Sequence, residues 1–171
     1  CLVMPMLLAR LLLIALCFAA WPAYGKDKPA EPPPAALHAK LDQISQDPAE
    51  LSAAIQRGQA SASVCRHCHG TGGNSVQPEV PNLAGQNAAY LLEQMNKFTH
   101  GQRKSSAFME GLIKALSPDE RIDVALFLSQ QPVARKPASL SAQGSAGKAL
   151  YGKLCVSCHG ATGTGTQKIP R

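Results

Sequence analysis

Four cysteines of the chain fall into two pairs of identical spacing, and each pair runs straight into histidine and glycine: Cys65-Arg66-His67-Cys68-His69-Gly70 and Cys155-Val156-Ser157-Cys158-His159-Gly160. Two thiols so spaced at the start of a helix can each reach one vinyl group on the same edge of a porphyrin. The histidine that follows then presents its imidazole to the iron, for which a neutral ring nitrogen is a good ligand. C-x-x-C-H is the attachment pattern of haem c. The residues therefore predict thioether bonds from Cys65 and Cys68 with His69 as the proximal iron ligand, and the same roles for Cys155, Cys158 and His159. A thioredoxin-type redox disulfide needs a βαβ setting, and no stretch of the chain alternates like a strand. A zinc site would have to join thiolates from pairs 90 residues apart, each followed by His-Gly, and fits poorly.

The other axial position of such an iron decides what it does. Beyond the N-terminal leader the methionines are Met95 and Met109. Met95 shares a helical face with Leu91 and Phe98 and reads as core. Met109 lies in a stretch without periodicity, 40 residues after His69, where a returning loop would cover the opposite haem face. Met109 is the expected axial ligand. His100 competes and would give bis-histidine coordination with a lower potential, although a histidine in so polar a stretch is more often on the surface. His67, inside the motif, reads as an exposed spacer.

The elements that must hold these residues are helical throughout, so the fold class is all-α. Residues 26–36 (KDKPAEPPPAA) are rich in Pro and charge and open a tether over residues 26–45, with a short amphipathic turn expected at residues 37–45. Asp47-Pro48-Ala49-Glu50 supplies cap, proline and acid in the order a helix start prefers, and Leu51, Ala54 and Ile55 follow at helical spacing toward Cys65. Residues 70–85 are dense in Gly, Pro and Asn and read as loop. Asn87 is placed to cap the helix of Leu91, Met95 and Phe98. Ser117-Pro118-Asp119-Glu120 starts a further helix with Ile122, Ala125 and Leu126 on one face, ended by Pro132. This delimits a first domain at residues 46–132, a linker at 133–140 and a second copy at 141–171. Only 5% of the residues are aromatic, and a covalent porphyrin would supply the missing flat apolar surface.

Residues 1–25 read as an export signal, with Arg10 before an apolar run over residues 11–20 and the small residues of Ala23-Tyr24-Gly25 at the cut, which is expected after Gly25. The run is too short for a spanning helix, and Pro22 follows it. The remaining cysteines, Cys1 and Cys17, leave with that leader, and the net charge falls from +6 to +5 with Arg10. Exported chains usually spend cysteines on disulfides between distant segments, and here none is left over for one. The compartment expected is the periplasm.

The first unit resembles the class I c-type cytochromes, and within them the tandem di-haem cytochrome c4 type. The resemblance is carried by Cys65-x-x-Cys68-His69-Gly70, Pro81-Asn82-Leu83-Ala84-Gly85-Gln86, Tyr90-Leu91, Phe98, Gly101-x-Arg103, Met109 and Leu116-Ser117. The second unit resembles the opening of another such domain through Gly144, Gly147, Leu150-Tyr151 and the second motif. The resemblance implies a small helical bundle around covalent haem, followed by an incomplete second copy, since 12 residues with no methionine follow His159. It implies that the Pro81 carbonyl receives the His69 ring N–H, that Tyr90 and Arg103 contact haem propionates, and that Tyr151 is the aromatic of a helix–helix contact. It implies a carrier of single electrons rather than an enzyme, with redox proteins as partners: a quinol-oxidising complex as donor and a terminal oxidase or reductase as acceptor. Positive charge would aid docking to acidic patches or a peripheral membrane surface, and no nucleic-acid partner is expected. The alternatives are a haem peroxidase, which needs an open iron site, or the electron-relay subunit of a periplasmic dehydrogenase. A gas-sensing or structural haem module ranks last, because no signalling domain accompanies it.

Overall fold

The computed structural model describes residues 30–134, 142–166 and 168–171; the leader at residues 1–25, the start of the tether and most of the linker lie outside them. The described residues contain helices and turns and no strand. The first helix, α1 (Pro34–Gln46), corrects the tether expected over residues 26–45. The prolines sit before the helix and at its first position, where a missing N–H costs nothing, so they introduce the helix instead of forbidding it. Leu37, Leu41 and Ile44 line one face and are buried against the core.

Asp47 breaks the chain between α1 and α2 (Pro48–Ser61), with its carboxylate accepting from the Ala49 and Glu50 amides at 2.9 and 3.3 Å. The short α3 (Arg66–His69) carries the first motif and leads into a 3-10 turn, Thr71–Gly73. Helix α4 (Ala88–Thr99) buries Leu91, Met95 and Phe98, the face expected from their spacing. Helix α5 (Ala107–Ala115) stands where the lack of periodicity around Met109 predicts a loop. Its start is built by two reciprocal caps: the Ser106 hydroxyl accepts from the Met109 amide, and the Glu110 carboxylate accepts from the Ser105 amide. Gly111 in its middle and the polar run before it hide the period. Helix α6 (Pro118–Ser129) crosses α2 and is buried from Arg121 to Leu126, so it runs through the centre of the domain. The core joins Ala54, Leu92, Ile122, Ala125 and Leu126 with the faces of α1 and α4.

The start of α6 is a complete capping box, in which the Ser117 hydroxyl accepts from the Glu120 amide and the Glu120 carboxylate accepts from the Ser117 amide at 2.8 Å. That backbone N–H, followed by the Ser117 side chain, holds the Glu120 carboxyl below its ordinary value of 4.5. A carboxylate so depressed stabilises the fold above the ordinary value, and the contribution fades as pH falls through the lowered one. Ser117→Ala will cost about 1 kcal/mol at neutral pH. Chemical denaturation repeated at acid pH will show a smaller difference between wild type and Glu120→Gln than at neutral pH.

The second copy contributes α7 (Ala142–Leu154) and α8 (Val156–His159), the latter carrying the second motif. The described residues from Glu31 onward belong to one compact unit.

Candidate functional site

The two motif turns share the hydrogen bonds that place the histidine and close the turn. In the first, the His69 amide donates to the Cys65 carbonyl at 2.9 Å and the Gly70 amide to Arg66 at 3.0 Å. In the second, His159 donates to Cys155 and Gly160 to Val156, both at 2.9 Å. Gly70 and Gly160 leave the helix turn with φ of 76° and 77°, in the left-handed region that favours glycine. At Gly70 a Cβ would also lie 2.0 Å from the Asn74 carbonyl oxygen, so the turn after the first motif accepts no side chain. Cys65 and Cys155 are half-buried, while Cys68 and Cys158 are exposed. Burial pushes the Cys65 thiol above its ordinary value, with part of the rise offset by its own backbone amide.

His69 is buried, and its Nδ1 lies 2.8 Å from the Pro81 carbonyl. A carbonyl only accepts, so the proton is on Nδ1 and Nε2 keeps its lone pair for a metal. Pro81 is held in turn, because the Leu83 and Ala84 amides after it both donate to the Gly73 carbonyl, at 2.8 and 3.1 Å. The same device recurs at the second motif, where His159 Nδ1 lies 3.0 Å from the Pro170 carbonyl. Pro170 was missed in the sequence reading. Its signal was there: Val80-Pro81 and Ile169-Pro170 stand 12 and 11 residues after their motif histidines. Tyr151 donates its hydroxyl to the Gly160 carbonyl at 2.6 Å, which braces the second motif turn against α7.

Among the other expected residues, Met109 stands in the first turn of α5, not in a loop, and packs half-buried against the same core that Cys65 touches. Met95 is core, as its face requires. His100 is exposed and its Nδ1 is 2.8 Å from the Asn96 carbonyl of its own helix. His67 is exposed as expected, with Nδ1 3.0 Å from the Val64 carbonyl. Tyr90 is half-buried near the start of α4. Arg103 donates to the Gln94 side chain at 2.6 Å and lies over the Phe98 ring, 5.3 Å from its centroid. Asn87 departs from expectation. It occupies the cap position of α4, yet its side chain makes no cap bond and donates to the Thr164 and Thr166 carbonyls at 2.8 and 3.1 Å.

The donor sets fit haem c at both motifs: two thiols on one turn, a histidine adjacent to the second, and a ring proton held by a carbonyl so that the other nitrogen is free to bind. No cluster of three or more His, Cys, Asp or Glu side chains suited to a bare metal ion occurs among the described residues.

A family model for cytochrome c matches residues 55–132. A cytochrome c4 of Pseudomonas aeruginosa is 41% identical over 115 residues, covering 63% of this chain and 57% of the relative. Cytochrome c-554(548) of Halomonas halodenitrificans is 37% identical over 76 residues, 43% of this chain and 92% of that protein. The crystal structure of reduced recombinant cytochrome c4 from Pseudomonas stutzeri matches with a TM-score of 0.59 at 31% identity, over 68% of this chain and 70% of that one. The chain spans roughly three fifths of the length of the cytochrome c4 relatives it matches.

Proposed function

This chain belongs to the class I c-type cytochromes, of the cytochrome c4 type, and on that premise we propose that it is a periplasmic carrier of single electrons. The observation that carries the reading is the pair of histidine–proline carbonyl bonds, His69 to Pro81 and His159 to Pro170, each beside a C-x-x-C thiol pair. Haem c, when attached, supplies a one-electron iron couple. Cys65 and Cys68 anchor it at the first motif, and Cys155 and Cys158 at the second. His69 and His159 offer Nε2 to the iron, and the carbonyl that holds each Nδ1 proton makes the imidazole a stronger donor.

Met109 is the proposed sulfur ligand of the first site. Its half-buried place against the core shared with Cys65 supports this, as does the fixing of its backbone by Ser106. A sulfur ligand raises the potential and saturates the iron, which suits a carrier and opposes a peroxidase. Tyr90 and Arg103 are the proposed propionate contacts; a guanidinium has five N–H donors, and Gln94 takes one of them from Arg103. The proposed partners are redox proteins, a quinol-oxidising complex as donor and a terminal oxidase or reductase as acceptor, approached in the periplasm after removal of residues 1–25. The positive charge will make that docking salt-sensitive.

The test is a redox titration of the haem-loaded protein with optical detection. Reversible one-electron behaviour is expected, with the weak red band of methionine–ferric bonding in the oxidised state. Met109→Ala will abolish the band, while Met95→Leu and His100→Ala will keep it. A band that survives Met109→Ala removes Met109 from the iron, and turnover of peroxide by the wild type overturns the carrier reading.

A further inference from the structure

The segment that orients His159 does not stand alone. Pro170 gives its carbonyl to the His159 ring, and the next residue, Arg171, is tied to the first unit at two points. Its amide donates to the Gln86 side-chain oxygen at 2.7 Å, and its guanidinium donates to the Gly85 carbonyl at 3.0 Å. The loop before Pro170 is tied as well, by the two Asn87 bonds to the Thr164 and Thr166 carbonyls. Between these anchors the loop closes on itself and on the motif: the Thr166 amide donates to the Ile169 carbonyl at 2.8 Å, and the Gly165 amide to the His159 carbonyl at 2.9 Å. Gln86 also accepts from the Asn87 backbone amide at 3.0 Å, so its side chain is fixed against the start of α4.

On the other side of this contact stands the loop that serves the first site. Pro81, the acceptor for His69, begins the run that ends at Gln86, and the Gly85 amide within it donates to Leu128 of α6 at 2.9 Å. Residues 85–87 are therefore fastened to the first domain's core, and they fasten the segment that holds the second histidine. Asn87 gives up a helix cap, which a side chain of its type commonly makes, in order to do this.

We infer that Gln86 and Asn87 are positioning residues for the second haem site: they hold residues 164–166 and 168–171 so that the Pro170 carbonyl stays on the His159 ring. The inference rests on haem attachment at the second motif. The carbonyl makes His159 a more electron-rich ligand, which favours the ferric state and lowers the potential. Loss of the latch loosens that bond, so the second centre's potential will rise while the first, whose histidine has its own tie to Pro81, will not move.

The experiment uses the full chain loaded with haem, the number of attached haems counted by mass spectrometry. Wild type, Gln86→Ala/Asn87→Ala and Gln86→Glu are compared by redox titration, with Cys155→Ser/Cys158→Ser identifying the first centre's potential. In the double variant the second potential is expected to rise alone. Exchange of the Arg171 and Thr166 amides with solvent will accelerate roughly tenfold or more. Gln86→Glu, which still accepts from the Arg171 amide, will keep the slow exchange of that amide. An unmoved second potential, or equal movement of both, overturns the inference. So does a wild type with no haem at the second motif, a result that leaves the one-electron reading of the first site standing.

Discussion

Gly58→Ala will unfold or strongly destabilise the first domain, whereas the same exchange at Gly111 will stabilise it. Both glycines lie inside helices, where alanine is the better former by roughly 1 kcal/mol. Their surroundings are opposite. A Cβ on Gly58 would lie 2.0 Å from the Asp123 carbonyl oxygen, 2.5 Å from its carbon and 2.9 Å from the Phe127 Cβ. Two of these are backbone atoms of α6, so no rotamer change relieves them and the helices must part. α2 and α6 carry Ala54, Ile122, Ala125 and Leu126 at the centre of the core, so their separation loosens packing well beyond position 58. Overpacking of a rigid core costs about 1–3 kcal/mol and occasionally more; against backbone at this range the upper end is expected. The separation would also disturb Asp123, nearly buried and held bidentately by Arg57 at 2.7 and 3.0 Å. At Gly111 nothing lies within 4 Å of the added methyl, and the position is exposed. Thermal melts of the two variants will move in opposite directions, by roughly 4–8 °C per kcal/mol for a domain of this size. A Gly58→Ala melt at the wild-type temperature would mean that α2 and α6 do not cross so closely.

The features that could be read from the chain were those in which a few neighbouring residues decide the outcome. Asp47-Pro48 and Ser117-Pro118-Asp119-Glu120 start helices because cap, proline and acid act within one turn, and both caps are present. The motif turns are equally local: thiols, histidine and glycine specify their own hydrogen bonds, and the two copies fold the same way. What escaped was decided elsewhere. Helix α1 is stabilised by the burial of Leu37, Leu41 and Ile44 against helices far along the chain, which a Pro-rich composition conceals. Helix α5 depends on two side-chain caps and on packing that its own pattern, broken by Gly111, does not announce. Asn87 looked like a cap because capping is what asparagine does locally, but acceptors 77 and 79 residues away compete and win.

The tether that became a helix also carries the second large effect. Arg121 lies one turn into α6 with 1% of its side chain exposed. One guanidinium nitrogen donates to the Leu116 carbonyl at 3.2 Å, another pairs with the Glu31 carboxylate, and Nε has no partner among the described residues. Glu31 precedes α1 and keeps 32% of its side chain exposed, so the acid reaches inward from the rim to meet a cation that cannot reach out. That asymmetry fixes the order of the variants. Glu31→Ala leaves a buried charge with one carbonyl for company, and breaking a buried pair in this way costs about 3–5 kcal/mol; the partial exposure of Glu31 places the expected loss near the lower figure. Arg121→Met removes the charge and keeps much of the volume, while Glu31 turns to solvent at little cost. Glu31→Ala/Arg121→Met will therefore be more stable than Glu31→Ala alone, and denaturant midpoints will rank wild type or Arg121→Met first, the double variant next and Glu31→Ala last. Removing residues up to Pro33 will match Glu31→Ala, because it deletes the same carboxylate while leaving the apolar face of α1 in place. If Glu31→Ala instead melts with the wild type, the Arg121 charge is compensated without Glu31 and the pair does not hold the start of α1 to α6.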